Sequence, residues 1–324
     1  MKYDLCSLLS TPPSSDEELF GNIKRCVSIF SPEWIYQLKL STEERIQRLE
    51  QLVREKFGQE LPSSYKMYLK EMGGYDSGLL SEYIDVDIND MAQWAQEHME
   101  RGNVEECIRK NSSKIPPFWQ FCYAYLGEYG FGFSTKEKIP DQLIMTNALE
   151  FYNTHDTFPK FLFYSAYMWG MKWIRNHGEI LEYSNPIPFP SSDYAYLAYF
   201  WAICPEEWMA VPHSGFIDLL RKLESYFSFE ECWFSGNKEF TAFDTENCPI
   251  SVEGFDARYV AVQNSSGLII CIHSRLSSPY RPNIGVYILG RDIDAIKQVV
   301  DTILQHIKLY EDISLRMLKL NLNM

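Results

Sequence analysis

The stretch that decides the fold is Leu61-Pro62-Ser63-Ser64-Tyr65-Lys66-Met67-Tyr68-Leu69-Lys70-Glu71-Met72-Gly73-Gly74. Proline is tolerated in the first turn of a helix, where the N–H group that it lacks would have no partner. Tyr65, Tyr68, Leu69 and Met72 recur at helical spacing, which predicts that they pack inward. Glycines commonly end a helix. The stretch therefore predicts a short helix that begins at Leu61-Pro62 and stops at Gly73-Gly74.

A longer amphipathic helix is predicted just before this stretch. Ser41-Thr42-Glu43-Glu44 has the spacing of a capping box, which satisfies two backbone N–H groups at a helix start. The apolar residues that follow share one helical face and end at Gly58: Ile46, Leu49, Leu52, Val53 and Phe57. We expect the two helices to pack together, with Lys66 either solvated or paired with an acid such as Glu43.

A strand with an acidic outer face is predicted after the glycines. Tyr83-Ile84-Asp85-Val86-Asp87-Ile88 alternates with period two, so Asp85 and Asp87 lie on the face opposite the isoleucines and the valine. Asn89-Asp90 then caps a helix through Met99, and 121–133 indicates strands joined by glycine turns. Residues 143–152 and 161–174 are so apolar that the sequence does not separate a buried strand from a buried helix.

The Leu61–Gly74 stretch and the helix before it resemble the signature of the SUKH superfamily of Smi/Knr-like immunity and regulatory proteins. Tyr68 stands where phenylalanine is usual, Met72 where asparagine is customary and Ser64 where an acid is common. The likeness is loose from Gly74 to about Tyr129. The residues that match by type and spacing are Leu61, Pro62, Tyr65, Lys66, Leu69, Gly73 and Gly74.

The resemblance implies an α+β fold with a central antiparallel sheet flanked by helices. It also implies a bacterial immunity protein that neutralises, by binding, the toxin of a polymorphic or contact-dependent system, or else a related regulatory scaffold. No catalytic residue comes with the family pattern. A non-catalytic protein-binding function is therefore the first expectation.

The charge of the chain points to a basic protein partner. The net charge is −14, which argues against duplex nucleic acid, because phosphate binding needs clustered Lys and Arg. Asp76–Glu100 holds seven carboxylates and neither Lys nor Arg, and Glu224–Asp256 holds eight carboxylates against Lys238 alone. Such runs are usually solvated faces, but they can also steer a cationic protein. The residues proposed to bind the partner are Glu82, Asp85, Asp87 and Asp90.

Composition indicates an ordered intracellular protein. Hydrophobic residues make up 46% of the 324 and aromatic residues 15%, which favours a large aromatic core over a surplus of interface anchors. The eight cysteines have no C-x-x-C spacing and are expected to be reduced, mostly buried thiols. Met1–Ser10 lacks the pattern of a signal peptide, and no segment has 18 uninterrupted apolar residues, so a cytoplasmic location is expected.

Two domains are predicted, separated by a proline-rich connector at 184–192. Residues 1–30 form a lead-in with one short helix, 31–183 the SUKH-like domain, and 193–324 a second α+β domain, which could be a divergent copy. The second domain is expected to run helix, antiparallel strands, helix. Its predicted elements are a helix at 216–226, hairpins at 232–243 and 259–272, a strand at 284–289 and a long helix with an apolar stripe from Ile293 to Ile307.

No pattern in the sequence indicates a catalytic, cofactor or metal site. There is no G-x-S-x-G elbow, phosphate loop, H-E-x-x-H or dinucleotide fingerprint. His155, His177 and a carboxylate could meet in space as a metal site, although isolated histidines are usually surface residues. The alternatives to an immunity protein are thus a regulatory scaffold or, third, an enzyme whose site is assembled from distant residues.

Overall fold

The computed structural model describes residues 5–11, 13–77, 79, 118–123, 129–134, 141–147, 150–181, 194, 196–205, 208, 212–235, 258–275, 283–309 and 315–319. The fold class is α+β, as the sequence predicts, and every strand pair within these residues is antiparallel. The helices are α1 (Leu5–Ser10), α2 (Asp16–Phe30), a 3-10 helix (Pro32–Gln37), α3 (Glu43–Phe57), α4 (Ser63–Met72), α5 (Phe158–Leu181), α6 (Pro212–Phe227) and α7 (Ile293–Leu304).

The strands form two sheets. The small sheet has four strands in chain order: β1 (Phe118–Tyr123), β2 (Tyr129–Ser134), β3 (Gln142–Asn147) and β4 (Glu150–Thr157). The large sheet has the order β10-β5-β9-β8-β7-β6. Strand β11 also pairs with β5, on the same edge as β10 and opposite to β9. Its strands are β5 (Tyr196–Ile203), β6 (Glu230–Ser235), β7 (Arg258–Gln263), β8 (Leu268–Arg275), β9 (Asn283–Gly290), β10 (Lys308–Leu309) and β11 (Arg316–Lys319).

The large sheet is covered on both faces. Because successive strand residues point to opposite faces, Val260 and Val262 enter one core while Tyr259 and Ala261 enter the other. The first core also contains the buried faces of α1 to α5, and the second contains those of α6 and α7. The nearly continuous apolar sequences of β7, β8 and β9 follow from this double burial.

The motif helices form where the sequence predicts them, with small shifts at their starts. Thr42, one residue after Ser41, is the N-cap of α3, and its side chain accepts a hydrogen bond from the Arg45 N–H at 3.3 Å. Pro62 is likewise the N-cap of α4 and not part of its first turn. Gly58 ends α3 in the left-handed conformation, with φ 65°, which glycine adopts without steric cost.

The amino-terminal segment is more structured than predicted. It contains two helices instead of one short helix, and α2 is 15 residues long with eight of them buried. Ser15 is its N-cap, and its side chain accepts a hydrogen bond from the Glu18 N–H at 3.2 Å. The Glu18 carboxylate in turn accepts from the backbone N–H of Ser14 at 2.7 Å. The Ser15-x-x-Glu18 spacing was therefore a helix signal in the sequence.

The two segments that the sequence left open are now assigned. Residues 143–147 lie on β3 and 150–152 on β4, which pair antiparallel, while 161–174 lies inside α5. Tyr164 and Tyr167 on α5 are buried, which agrees with the large aromatic core that the composition favours. Leu143 of β3 and residues 161–164 of α5 all lie in the first core, so local pattern alone could not distinguish strand from helix.

Most predicted elements of the carboxyl-terminal half are confirmed. The helix at 216–226 lies within α6, the hairpin at 259–272 is β7 and β8, the strand at 284–289 lies within β9, and Ile293 begins α7. The arm β6 of the other predicted hairpin pairs with β7, while its second arm at 236–243 lies outside the described residues. The sequence did not reveal β5, β10 or β11, and α7 ends at Leu304, before the Ile307 that the predicted apolar stripe included.

The first core joins residues from both sides of the predicted domain boundary. Trp233, Cys271 and Leu289 of the large sheet belong to the same buried cluster as Val27 of α2 and Tyr167 of α5. The hydroxyl of Tyr164 donates to the carbonyl of Cys232 at 2.8 Å, and its ring stacks on Trp233 at 4.9 Å. The proline-rich connector at 184–192 lies outside the described residues, and the division into two domains remains a prediction.

Candidate functional site

The apolar residues of the SUKH-like motif build an aromatic cluster under α4. Tyr65 and Tyr68 are buried, and their rings stack with centroids 5.8 Å apart. Phe133 of β2 and Phe158 of α5 meet the Tyr65 ring edge to face, each at 5.3 Å. Leu61 is also buried. These residues join α4 to the small sheet and to α5, which is the packing role that the sequence predicted for Tyr65.

The glycine pair is needed for a close backbone contact. Gly74 N–H donates to the Lys39 carbonyl at 2.8 Å, and Lys39 N–H donates to the Tyr75 carbonyl at 2.9 Å. A Cβ atom on Gly74 would lie 2.5 Å from the carbonyl oxygen of Leu40, closer than such atoms approach. Neither glycine has positive φ. The pair therefore allows the chain after α4 to lie against residues 39–41.

Polar contacts fix the same corner of the molecule. The Tyr68 hydroxyl donates to the Asp76 carboxylate at 3.1 Å, and both side chains are buried. Lys66 pairs with Glu50 of α3, at 2.5 Å, instead of with Glu43. Lys24 of α2 pairs with Glu71 of α4. Asp76, the first carboxylate of the acidic run, is therefore a buried residue that stabilises the fold, and it does not face solvent.

Four large apolar side chains are exposed on residues 35–40 and on Tyr75, whose backbone pairs with that of Lys39, and we name them the Tyr36 patch: Ile35, Tyr36, Leu40 and Tyr75. Tyr36 is 88% exposed and Leu40 is 65% exposed. The Lys39 ammonium lies 5.9 Å from the centre of the Tyr75 ring. Clusters of exposed apolar side chains on one surface are typical of protein-binding sites.

The Tyr36 patch is held on an ordered base. Trp34, next to Ile35 in the 3-10 helix, is buried and packs near Trp169 of α5 at 6.3 Å between ring centres. Ser77 donates a side-chain hydrogen bond to Gln37 at 2.7 Å. Since the backbone is fixed on both sides, binding here would cost little additional ordering of the chain.

The sequence did not identify the Tyr36 patch. Its only signal was Trp34-Ile35-Tyr36, three successive large apolar residues that neither a helix nor a strand buries together. That signal does not tell which of the three faces the core. The partner-binding residues predicted from the sequence, Glu82, Asp85, Asp87 and Asp90, lie outside the described residues, as does the predicted strand 83–88.

A separate polar pocket lies between α6 and the carboxyl-terminal end of α7. Its volume is about 240 Å³, and its walls include Trp208, Asp218, Lys222, Gln305 and His306. Burial, and after it the charge of Lys222, lowers the pKa of His306 below 6.5. The Asp218 carboxylate is 64% exposed and pairs with Arg221 at 3.2 Å. The pocket thus offers one cation, one anion and a neutral imidazole.

The thiols whose side chains are described fit the reduced state. Cys6, Cys26, Cys204 and Cys271 are buried, Cys232 is half-buried, and none of the five forms a disulfide. Burial raises the pKa of Cys26 well above its usual range and that of Cys204 to about 12. A thiol with a raised pKa is a poor nucleophile and a poor metal ligand, because the thiolate is the reactive form.

Metal and membrane features can be assessed over the described part of the chain. There, no group of three or more His, Cys, Asp or Glu side chains could hold a metal ion. Among the helices with bounds given above, none combines the length and the apolar character required to cross a bilayer. His155 and His177, considered above as metal ligands, have side chains outside the described set.

Comparison with known proteins gives no match: no protein-family model, no curated protein and no solved structure is similar to this chain.

Proposed function

We propose that this chain is a non-catalytic protein-binding protein, and specifically an immunity protein that neutralises a basic toxin domain by holding it on the Tyr36 patch. The observation that supports the proposal most is the exposure of Tyr36 and Leu40 on an ordered base. Tyrosine is enriched among the residues that dominate binding energy at protein interfaces, because its ring buries a large area at low entropic cost.

Charge supports a basic partner. The net charge of −14 favours association with a cationic domain and opposes binding to nucleic acid. The sequence that continues from Tyr75 is the acidic run Asp76–Glu100, so its carboxylates follow the patch directly along the chain. In this proposal the patch supplies affinity and Glu82, Asp85, Asp87 and Asp90 increase the rate of association.

The toxin assignment rests on the resemblance in Leu61–Gly74 and on its local structure. The helix α4 carries Tyr65 and Tyr68 on its buried side and is followed by Gly73, as the spacing of these residues predicts. That arrangement brings Leu40 beside Gly74, and so it forms one side of the Tyr36 patch. The motif would therefore matter for binding indirectly, by shaping the surface, while its own residues stay buried.

The proposal is tested by site-specific photo-crosslinking. A photoreactive phenylalanine analogue placed at Tyr36 should crosslink one protein in cells that carry the gene, and the same analogue at Tyr226, an exposed tyrosine on α6, should not. The captured protein is then purified and co-expressed with this chain. We expect it to be positively charged and toxic alone, with growth restored by the wild-type chain.

Three results would contradict the proposal. Capture of the same protein from Tyr226 and Tyr36 alike would show that the patch is not the binding surface. Capture of several unrelated proteins, none of them toxic, would favour a regulatory scaffold. The third result concerns variants in which Glu82, Asp85, Asp87 or Asp90 is replaced by lysine. If these variants bind a captured toxin as fast as wild type does in low salt, the carboxylates do not increase the rate of association.

A further inference from the structure

The pocket between α6 and α7 has an aromatic wall that depends on a glycine. Trp208 lies against Gly215 of α6, where a Cβ atom would come within 2.5 Å of the indole ring. Only a residue without a side chain allows the indole to lie that close to the helix. The indole is partly exposed and lines the pocket. A planar ligand can therefore stack on one end of the cavity.

Charged groups follow the indole along the same face of α6. Gly215, Asp218 and Lys222 are separated by three and four residues, so they lie in succession on one side of the helix. Asp218 pairs with Arg221, whereas among the described residues no carboxylate lies within ion-pair distance of Lys222. The pocket therefore has a carboxylate and an available ammonium about one helical turn apart.

The opposite wall is formed by the end of α7. Gln305 is the C-cap of that helix, and His306 follows it. The lowered pKa of His306 keeps the imidazole neutral at pH 7, so it can donate or accept one hydrogen bond without adding charge. Both side chains can form hydrogen bonds with the polar end of a ligand whose charged groups contact Asp218 and Lys222 on α6.

The volume of the pocket suits a ligand with one ring and a short polar chain. Its volume of about 240 Å³ is below the roughly 300–1,000 Å³ of pockets that hold drug-sized molecules. A ligand must then present a planar ring, a cation for Asp218 and an anion for Lys222 within a small space. A zwitterionic α-amino acid with an aromatic side chain has these groups in that arrangement.

We propose that this pocket binds a free aromatic α-amino acid, with its ring on Trp208, its ammonium at Asp218 and its carboxylate at Lys222. Gln305 and His306 complete the hydrogen bonds of the polar end. The site is independent of the Tyr36 patch, which lies on other elements of the fold. Its occupation would stabilise the packing of α6 against the end of α7, because a ligand that binds only the folded protein raises its stability.

The test is calorimetric titration of the full-length chain with L-phenylalanine, L-tyrosine and L-tryptophan. We expect saturable binding of at least one of them. Three analogues of phenylalanine serve as controls, because each lacks one group: L-alanine the ring, phenethylamine the carboxylate and 3-phenylpropionate the ammonium. Each should bind at least tenfold more weakly than the amino acid.

Variants assign the contacts. Lys222→Met should weaken binding of the amino acid at least tenfold, whereas Lys297→Met, on the exposed face of α7 and outside the pocket, should leave it unchanged. Asp218→Asn should weaken the amino acid but not 3-phenylpropionate. Gly215→Ala should displace Trp208 and abolish binding. Circular dichroism and thermal melting confirm that each variant is folded.

The proposal is overturned if none of the three amino acids binds saturably at its solubility limit. It is equally overturned if 3-phenylpropionate binds as tightly as phenylalanine, since the site would then recognise a plain carboxylate. Binding that survives both Lys222→Met and Gly215→Ala would place the ligand elsewhere on the molecule.

Discussion

Two glycines shape two surfaces of this protein, the Tyr36 patch and the pocket between α6 and α7. Gly74 lets the chain after α4 lie against Leu40, and Gly215 lets Trp208 lie against α6. At both positions the requirement is space and not backbone conformation, since φ is negative at each. Sequence alone identified the Gly73-Gly74 pair as a helix stop, but the close approach that requires it depends on residues 39–41, which no local pattern connects to it.

Gly74→Ala should destabilise the protein. The added methyl group would meet the Leu40 carbonyl at 2.5 Å, and relieving such overpacking typically costs about 1–3 kcal/mol. Urea unfolding measures the difference. Gly21→Ala in α2 is the matched control, because nothing lies within 4 Å of a Cβ there, and alanine in a helix should be about 0.5–1 kcal/mol more stable than glycine. Equal effects at the two positions would show that the contact at Gly74 is not tight.

The pKa of His306 should lie below 6.5 in the folded protein, because of burial first and Lys222 second. Between the lowered pKa and 6.5 the unfolded chain binds more protons at this site, so stability rises with pH across that window and falls as pH drops through it. NMR titration of the imidazole measures the value directly. Lys222→Gln removes only the second cause, so it should raise the pKa part of the way. An unchanged pKa in that variant would show that the charge of Lys222 does not act on His306.

At the scale of single elements, helices with an amphipathic period and clear caps could be predicted, and so could the doubly buried strands β7, β8 and β9, whereas the type of α5 and of the β3–β4 hairpin could not. The apolar stripe of α3 ends at Gly58 and that of α7 begins at Ile293, as the sequence indicated. The α5 residues 161–168 are all buried, so they show no amphipathic period, and the apolar sequence of 143–152 gave no clear period either. The helix α2 was missed although Ser15 and Glu18 marked its start.

The N-cap of α3 provides a test of element boundaries. Thr42→Ala should cost about 1 kcal/mol, because the Arg45 N–H loses the side-chain acceptor at the start of the helix. Ser41→Ala should change the free energy of unfolding little, since the cap is Thr42 and not Ser41. Chemical denaturation of the two variants measures both values. A larger loss at Ser41 would show that the capping box begins there, as the sequence alone suggested.

At the scale of the whole molecule, the amino-terminal helices and the large sheet share one core. Residues as distant as Val27 and Leu289 belong to the same buried cluster. The sequence could predict the α+β class and the helices α3, α4, α6 and α7. It could not predict this contact, because a proline-rich segment indicates a break in secondary structure but says nothing about what packs across it.

A fragment of residues 193–324 should therefore be unstable in isolation. Without α2 and α5, the face of the large sheet that carries Trp233, Val260 and Leu289 would be exposed to water. We expect the fragment to bind a hydrophobic dye and to unfold without a cooperative transition, whereas the full chain gives one sharp transition. A fragment that unfolds cooperatively and binds no dye would support two independent domains.

The Tyr36 patch gives the whole molecule its proposed role, and one titration tests it most directly. The measurement is the dissociation constant of the crosslinked partner, purified, for wild type, Tyr36→Ala and Tyr226→Ala. Both tyrosines are exposed, so neither substitution should affect the core. If Tyr36 is a main anchor, its loss should cost about 2 kcal/mol or more, a roughly 30-fold weaker affinity, while Tyr226→Ala binds as wild type does. Equal affinities for all three proteins would contradict the account.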